Sequence, residues 1–186
     1  METFTVPGAA DGVQLSTLVI APERPKAVLQ LVHGMAEHKE RYIPVMNYLS
    51  EAGYACVICD LRGHGATVKD KEDLGWLGKG GMRALVDDVH CVTDWAKAKY
   101  PGLPVFLFGH SMGSMIVRSF LKRYDKDIAG LIVWDIIHSA FIRPFTLVGV
   151  LRNYIQSGIN EIPTEEAFKV LDGKSAKFKK LHQEAA

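Results

Sequence analysis

Apolar and polar positions along this chain follow two alternating rhythms. Residues 13–20 and 27–32 read as strands, the second (Ala27-Val-Leu-Gln-Leu-Val32) apolar almost throughout, with a turn across residues 22–25 between them. Tyr42, Val45, Met46, Leu49 and Ala52 then recur at i, i+3, i+4 and i+7, the stripe of an amphipathic helix. Gly53 stands where a helix end takes a left-handed residue. Residues 54–59 form a continuous apolar strand, and a Gly- and charge-rich loop over 60–81 leads to a helix with Met82, Leu85, Val86, Val89 and Ala96 on one face. A strand at 105–108, a helix over 112–124 and a strand at 129–134 complete the series. Strands alternating with helices, and strands this apolar, predict an α/β fold of three α/β/α layers with a mostly parallel central sheet. Ligands of such sheets bind beyond the carboxyl ends of the strands, so the residues after Val32, Cys59, Phe108 and Trp134 are where chemistry is expected.

Beyond Trp134 the rhythm changes. Leu147, Val148, Leu151, Tyr154 and Ile155 fit one helix ending near Gly158, and residues 161–186 read as one or two short polar helices. The predicted organisation is a core over 1–134, incomplete on its C-terminal side, and a helical, cap-like or foreign tail over 135–186. The 144–158 helix carries Arg143 and Arg152 at its flanks, and no acidic residue occurs from 136 to 160. That pattern reads first as a helix packed on the sheet, with a lipid-admitting cap or a membrane-resting surface as the other reading.

Composition narrows the function classes. The 186 residues are 48% hydrophobic and 23% charged, as in an ordinary globular protein. With 22 basic against 21 acidic residues there is no field to favour nucleic acid. No basic n-region and apolar core of leader length open the chain, and no window approaches the length of a membrane span, so a cytoplasmic location is expected. Cys56 and Cys59 fall on opposite faces of one strand, the wrong arrangement for a redox pair or metal clip, and with Cys91 they are expected as free thiols. No spacing of histidines or carboxylates suits a metal, and neither metal nor cofactor is expected.

The most informative segment is Gly109-His110-Ser111-Met112-Gly113, a G-x-S-x-G at the junction of a predicted strand and a predicted helix. A sharp strand-to-helix turn lifts the serine oxygen above the sheet, and the glycines remove side chains that would collide. A serine that transfers acyl groups needs two backbone N–H groups aimed at the tetrahedral oxyanion. One comes from the residue after the nucleophile, Met112; the other comes from the loop after an adjacent strand, here His33-Gly34-Met35, with Met35 the natural donor. Asp60-Leu-Arg62-Gly63-His64-Gly65, after the next strand, reads as structural support, with Arg62 or His64 placed to brace the site. His110 reads as a loop-bracing group and His90 as a surface or packing residue.

Together, His33-Gly34-Met35-Ala36-Glu37-His38 with Arg41-Tyr42, Asp60-Leu-Arg-Gly-His-Gly65 and Gly109-His-Ser-Met-Gly113 resemble the α/β-hydrolase fold. Within it they most resemble the monoacylglycerol lipase and lysophospholipase branch, also grouped as serine aminopeptidase-like hydrolases. The resemblance covers roughly residues 10–133. It implies a serine esterase that removes one acyl chain from a glycerol or glycerophospho ester, with Ser111 as nucleophile and Met35 and Met112 as oxyanion donors. Glu37, His38, Arg41 and Tyr42 match the motif without a catalytic role.

A serine also needs a base and an orienting acid, which this fold supplies in the chain order Ser, Asp or Glu, His. Residues 135–186 contain neither a late strand ending in aspartate nor a histidine in a recognisable terminal loop. Three readings stay open: a truncated or frame-shifted chain with an exposed sheet edge prone to self-association; a rewired triad drawing on Asp135 with His138 or His182; and a binding module without turnover.

Overall fold

A computed structural model describes residues 1–134. Strands β1 (Glu2–Pro7), β2 (Gln14–Ile20) and β3 (Ala27–Val32) lead to helix α1 (Ile43–Glu51). After β4 (Tyr54–Cys59) come α2 (Gly81–Lys99), β5 (Val105–His110), α3 (Met112–Tyr124) and β6 (Gly130–Trp134). The strands form one sheet in the order β1-β2-β4-β3-β5-β6. β1 and β2 run antiparallel to their neighbours, whereas β4, β3, β5 and β6 are mutually parallel.

The layers follow from strand parity. Leu15, Val19, Val28, Val57 and Leu107 face a cluster with Leu85, Val89, Val92 and Ala96 of α2 and Ile116, Val117 and Phe120 of α3. The alternate residues, Leu18, Leu29, Leu31 and Ile58, are buried outside that cluster, on the face where α1 contributes Met46 and Leu49. β3 and β4 are buried at every position because helices cover both faces. Each fully buried aliphatic side chain adds about 1.5–3 kcal/mol of hydrophobic stabilisation, before the entropy of ordering the chain is set against it. Cys59 lies in the α2/α3 cluster and Cys56 outside it; all three thiols are free. Burial pushes the Cys56 thiol up to about 12, so it packs as an apolar group.

Two details depart from expectation. The chain begins with an extra strand, β1, whose Val6 is buried while Glu2, Thr3 and Thr5 are exposed. Met82, assigned above to the apolar face of the second helix, is 49% exposed, because it lies in the first turn of α2 and burial along the helix starts only at Ala84. Gly53 has φ +94°, the left-handed residue that ends α1. The 60–81 loop contains two 3-10 turns, Gly65–Thr67 and Lys71–Asp73. The 135–186 tail, with Asp135, His138, His182 and the 144–158 helix, lies outside the described residues.

Candidate active site

The parallel strands β4, β3 and β5 deliver three loops to one end of the sheet. β5 ends at His110, and Ser111 forms the corner before α3 with φ +52° and ψ −117°. A left-handed backbone at a residue with a side chain costs about 1–3 kcal/mol and persists only where neighbours over-determine it. Here they do. The Ser111 N–H donates to the Trp134 carbonyl at 2.9 Å, and the Ser111 carbonyl accepts the Ser114 N–H at 2.9 Å and the Ser114 hydroxyl at 2.6 Å.

The flanking glycines are demanded by contact. A Cβ on Gly113 would stand 2.1 Å from the Val32 carbonyl oxygen, and one on Gly109 would stand 2.5 Å from the Gly113 carbonyl oxygen. The first turn of α3 is thus pressed onto the end of β3, leaving Ser111 half-buried. Met112 is the first residue of α3, so its N–H has no acceptor within the helix and belongs to the positive end of the helix dipole.

The loop after β3 meets this corner. A Cβ on Gly34 would lie 3.1 Å from the Ser111 Cβ, which places the two backbones side by side. His33 is fully buried beneath them. Its Nδ1 lies 2.7 Å from the Gly34 carbonyl, and its Nε2 is 3.0 Å from the Leu61 N–H. Because Nε2 must accept, the proton sits on Nδ1. Burial pulls the His33 pKa down and favours this neutral ring. The Gly34 N–H is also engaged, donating to Glu37 Oε2 at 2.7 Å. Met35 supplies the next amide in the loop, and its side chain is 69% exposed.

Glu37 ties the loop together. Ala36, with φ +56°, folds the chain back so that Glu37 Oε2 also accepts the Tyr42 hydroxyl at 2.9 Å and meets His110 Nδ1 at 3.1 Å. His110 Nδ1 also lies 3.2 Å from the Tyr42 hydroxyl; with its proton on Nδ1 the ring donates to the carboxylate and braces the serine turn, the role read for it in the sequence. Burial alone would raise the Glu37 carboxyl, but the bonds from His110, Gly34 and Tyr42 outweigh it and hold the pKa at about 2.

A pH dependence follows. The unfolded carboxyl titrates near 4.5, so the stabilisation is complete above that pH and is lost as pH falls toward 2. Its size is on the order of 3 kcal/mol at neutral pH. The stability gap between the native chain and Glu37→Gln is therefore expected to be widest near pH 7 and to close between pH 4.5 and 2, measured by urea unfolding at each pH.

The loop after β4 supports the other two. Asp60, fully buried, accepts the backbone N–H of Lys39, the Lys39 ammonium and the Ala66 N–H, each at 2.7 Å. Arg62 forks onto the buried Asp88 of α2 and reaches the Leu77 carbonyl at 3.1 Å. His64 Nδ1 lies 3.0 Å from the Arg62 carbonyl, and its ring meets His33 edge-on at 5.3 Å. Arg62 and His64 both brace, as their positions in the sequence led us to expect. His90, away from the site, stacks on Tyr124 and contacts Asp127 at 3.0 Å.

Ser111, Met35 and Met112, picked out separately along the chain, are thus gathered at one end of the sheet. Sequence reasoning missed the joining role of Glu37, the Lys39–Asp60 pair and the anchor at Asp88. Among the described residues, no group of three His, Cys, Asp or Glu side chains is placed to hold a metal ion.

The family described as serine aminopeptidase, S33, matches residues 23–136, which span β3 to the end of β6. This chain belongs to that family. Among curated relatives, it is 33% identical over 113 residues to the phospholipase YtpA of Bacillus subtilis, covering 60% of this chain and 40% of the relative. It is 32% identical over 123 residues to the monoacylglycerol lipase of Mycolicibacterium smegmatis, covering 66% of this chain and 42% of the relative. A thermostable carboxyl esterase from Bacillus coagulans superposes with a TM-score of 0.68 at 30% identity, over 84% of this chain and 51% of the esterase. The chain therefore spans about two fifths of the length of the curated relatives it matches. Its fold is that of the α/β-hydrolases.

Proposed function

We propose that this chain is a serine hydrolase acting on carboxylic esters of lipid type, monoacylglycerol or lysophospholipid, through an acyl-enzyme on Ser111. The observation that carries the reading is the left-handed Ser111 backbone at a turn walled by glycines, with Gly34 packed against the serine Cβ. The names of the relatives, a phospholipase, a monoacylglycerol lipase and a carboxyl esterase, support the ester class.

In this reading the Ser111 oxygen attacks the ester carbonyl carbon while a base takes its proton. The carbonyl oxygen becomes an oxyanion received by the Met35 and Met112 amides. Collapse of the tetrahedral species breaks the acyl C–O bond, the base returns the proton to the departing alcohol, and the acyl group stays on Ser111. Attack by water then releases the carboxylic acid and frees the serine. His33 has both ring nitrogens engaged and is not assigned as base; His110, which leaves the turn beside Ser111 rather than facing it, is assigned to bracing that turn through Nδ1. Asp135 with His138 or His182 is the acid and base pair this chain offers outside the described residues.

The test is hydrolysis of p-nitrophenyl butyrate by the full chain beside Ser111→Ala, Asp135→Asn, His138→Ala and His182→Ala. Ser111→Ala is expected to reduce the rate by about 10³-fold or more. A rate unchanged in Ser111→Ala refutes the nucleophile; a real rate untouched by the other three refutes the rewired triad. If folded chain has no activity, the reading passes to the alternative of a binding protein.

Among the described residues, no helix is long and apolar enough to cross a membrane. Transient contact with a membrane surface, a cytoplasmic location and self-association through the β6 edge belong to the same proposal.

A further inference from the structure

Two amides that receive one oxyanion from different elements need something to set their separation. The Met112 amide is fixed by α3, whereas the Met35 amide belongs to an exposed loop turned by a left-handed Ala36. Resting on the ester-hydrolase reading, we infer that Glu37 is a positioning residue, a carboxylate bolt that holds the Gly34–Met35 loop at a fixed distance from the Ser111 turn.

The bolt acts through one atom. Glu37 Oε2 accepts the Gly34 N–H at 2.7 Å, which orients the residue before Met35, and the His110 Nδ1–H at 3.1 Å, which holds the residue before Ser111. The Tyr42 hydroxyl, at 2.9 Å, fixes the same oxygen from the start of α1 and lies 3.2 Å from His110 Nδ1, closing a triangle around it. Because one oxygen serves both loops, Gly34 and His110 cannot separate without breaking a bond. The Glu37 side chain is 7% exposed, so water offers these donors little replacement. Arg41 lies 3.5 Å from the other oxygen, Oε1, and holds the carboxyl plane. A carboxylate so heavily donated to is a poor proton acceptor, which separates this role from that of a general base.

The experiment compares kcat, KM and thermal midpoint for the native chain, Glu37→Ala, Glu37→Gln and Ser111→Ala with p-nitrophenyl butyrate. Glu37→Ala is expected to lower kcat about 30-fold or more with KM within about threefold, the signature of a misplaced oxyanion donor. Glu37→Gln keeps an oxygen where Oε2 stood and should recover kcat to within about fivefold of the native value. Should Glu37→Ala not fold, Glu37→Asp, which draws the carboxylate back by one methylene, is read the same way. A kcat for the alanine or aspartate variant within threefold of native, with Ser111→Ala inactive, overturns the inference and leaves the hydrolase reading standing. So does a Gln variant that falls as far as the Ala variant. Turnover that does not depend on Ser111 overturns the hydrolase reading, and the inference with it.

Discussion

Replacing Gly113 by alanine is expected to disable the site and destabilise the fold, although the change adds one methyl group to a helix. The new Cβ would stand 2.1 Å from the Val32 carbonyl oxygen and 2.8 Å from that of His33. Neither obstacle is a side chain that can rotate away. Both are backbone atoms at the end of β3, whose ladder to β4 and β5 runs from Ala27 to Val32. Relief requires the first turn of α3 to retreat from β3, carrying the Met112 amide and Ser111 away from Gly34 and Met35. Overpacking typically costs about 1–3 kcal/mol, and immovable backbone puts this case at the upper end, about 3 kcal/mol. A displacement on the order of 1 Å at a reacting group costs about 100-fold in rate. The measurement is urea unfolding beside turnover. Better intrinsic helix propensity for alanine, about 1 kcal/mol, pulls the other way and is too small to offset the clash.

The second large effect is at Asp88, far from the serine. Its carboxylate accepts the Arg62 fork, with Nη2 at 2.9 Å, and the Ala9 N–H at 2.9 Å. It thereby joins α2, the loop after β4 and the turn between β1 and β2. Arg62 and Asp88 are both buried, so Asp88→Ala strips a buried guanidinium of its forked counter-charge and leaves it only the half-exposed Asp11 at 3.6 Å. Breaking such a pair from one side costs about 3–5 kcal/mol. For a chain of this size the midpoint should fall by about 10 °C, measured by thermal unfolding. Removing both charges, Arg62→Met with Asp88→Leu, should recover much of the loss, because the dominant cost is the unpaired ion. Equal destabilisation by single and double variants would show that the hydrogen bond to Ala9 matters more than the charge.

These two sites mark where the sequence is legible and where it is not. β3 and β4 could be read residue for residue because helices on both faces make them apolar throughout. The start of α3 was legible from the glycines, since sterics alone require them at that turn. β1 was hard to see because it is an edge strand with one fully buried side chain, Val6, and only the alternation Thr3-Phe4-Thr5-Val6 signals it. Met82 misled because the helical period extends into the first turn of α2, ahead of the point where burial begins at Ala84.

The polar framework was less legible still. Lys39 reads as a surface charge between His38 and Glu40, yet it is 1% exposed, its ammonium on Asp60. Glu37 gives no periodic sign of its three donors, since His110 approaches from a distant strand and Ala36 reverses the loop to bring Gly34 within reach. Pairings of this kind depend on which loops the topology places together. The local pattern of the chain does not encode them one at a time.

The central claim, that the Ser111 oxygen is an activated nucleophile, is tested most directly by adduct mapping. Folded chain is treated with an alkyl fluorophosphonate, digested and read by tandem mass spectrometry. The account predicts one phosphonate on the peptide containing Ser111, formed at neutral pH, and none in Ser111→Ala. A native chain that stays unlabelled while folded, or carries the adduct on another residue, would contradict it.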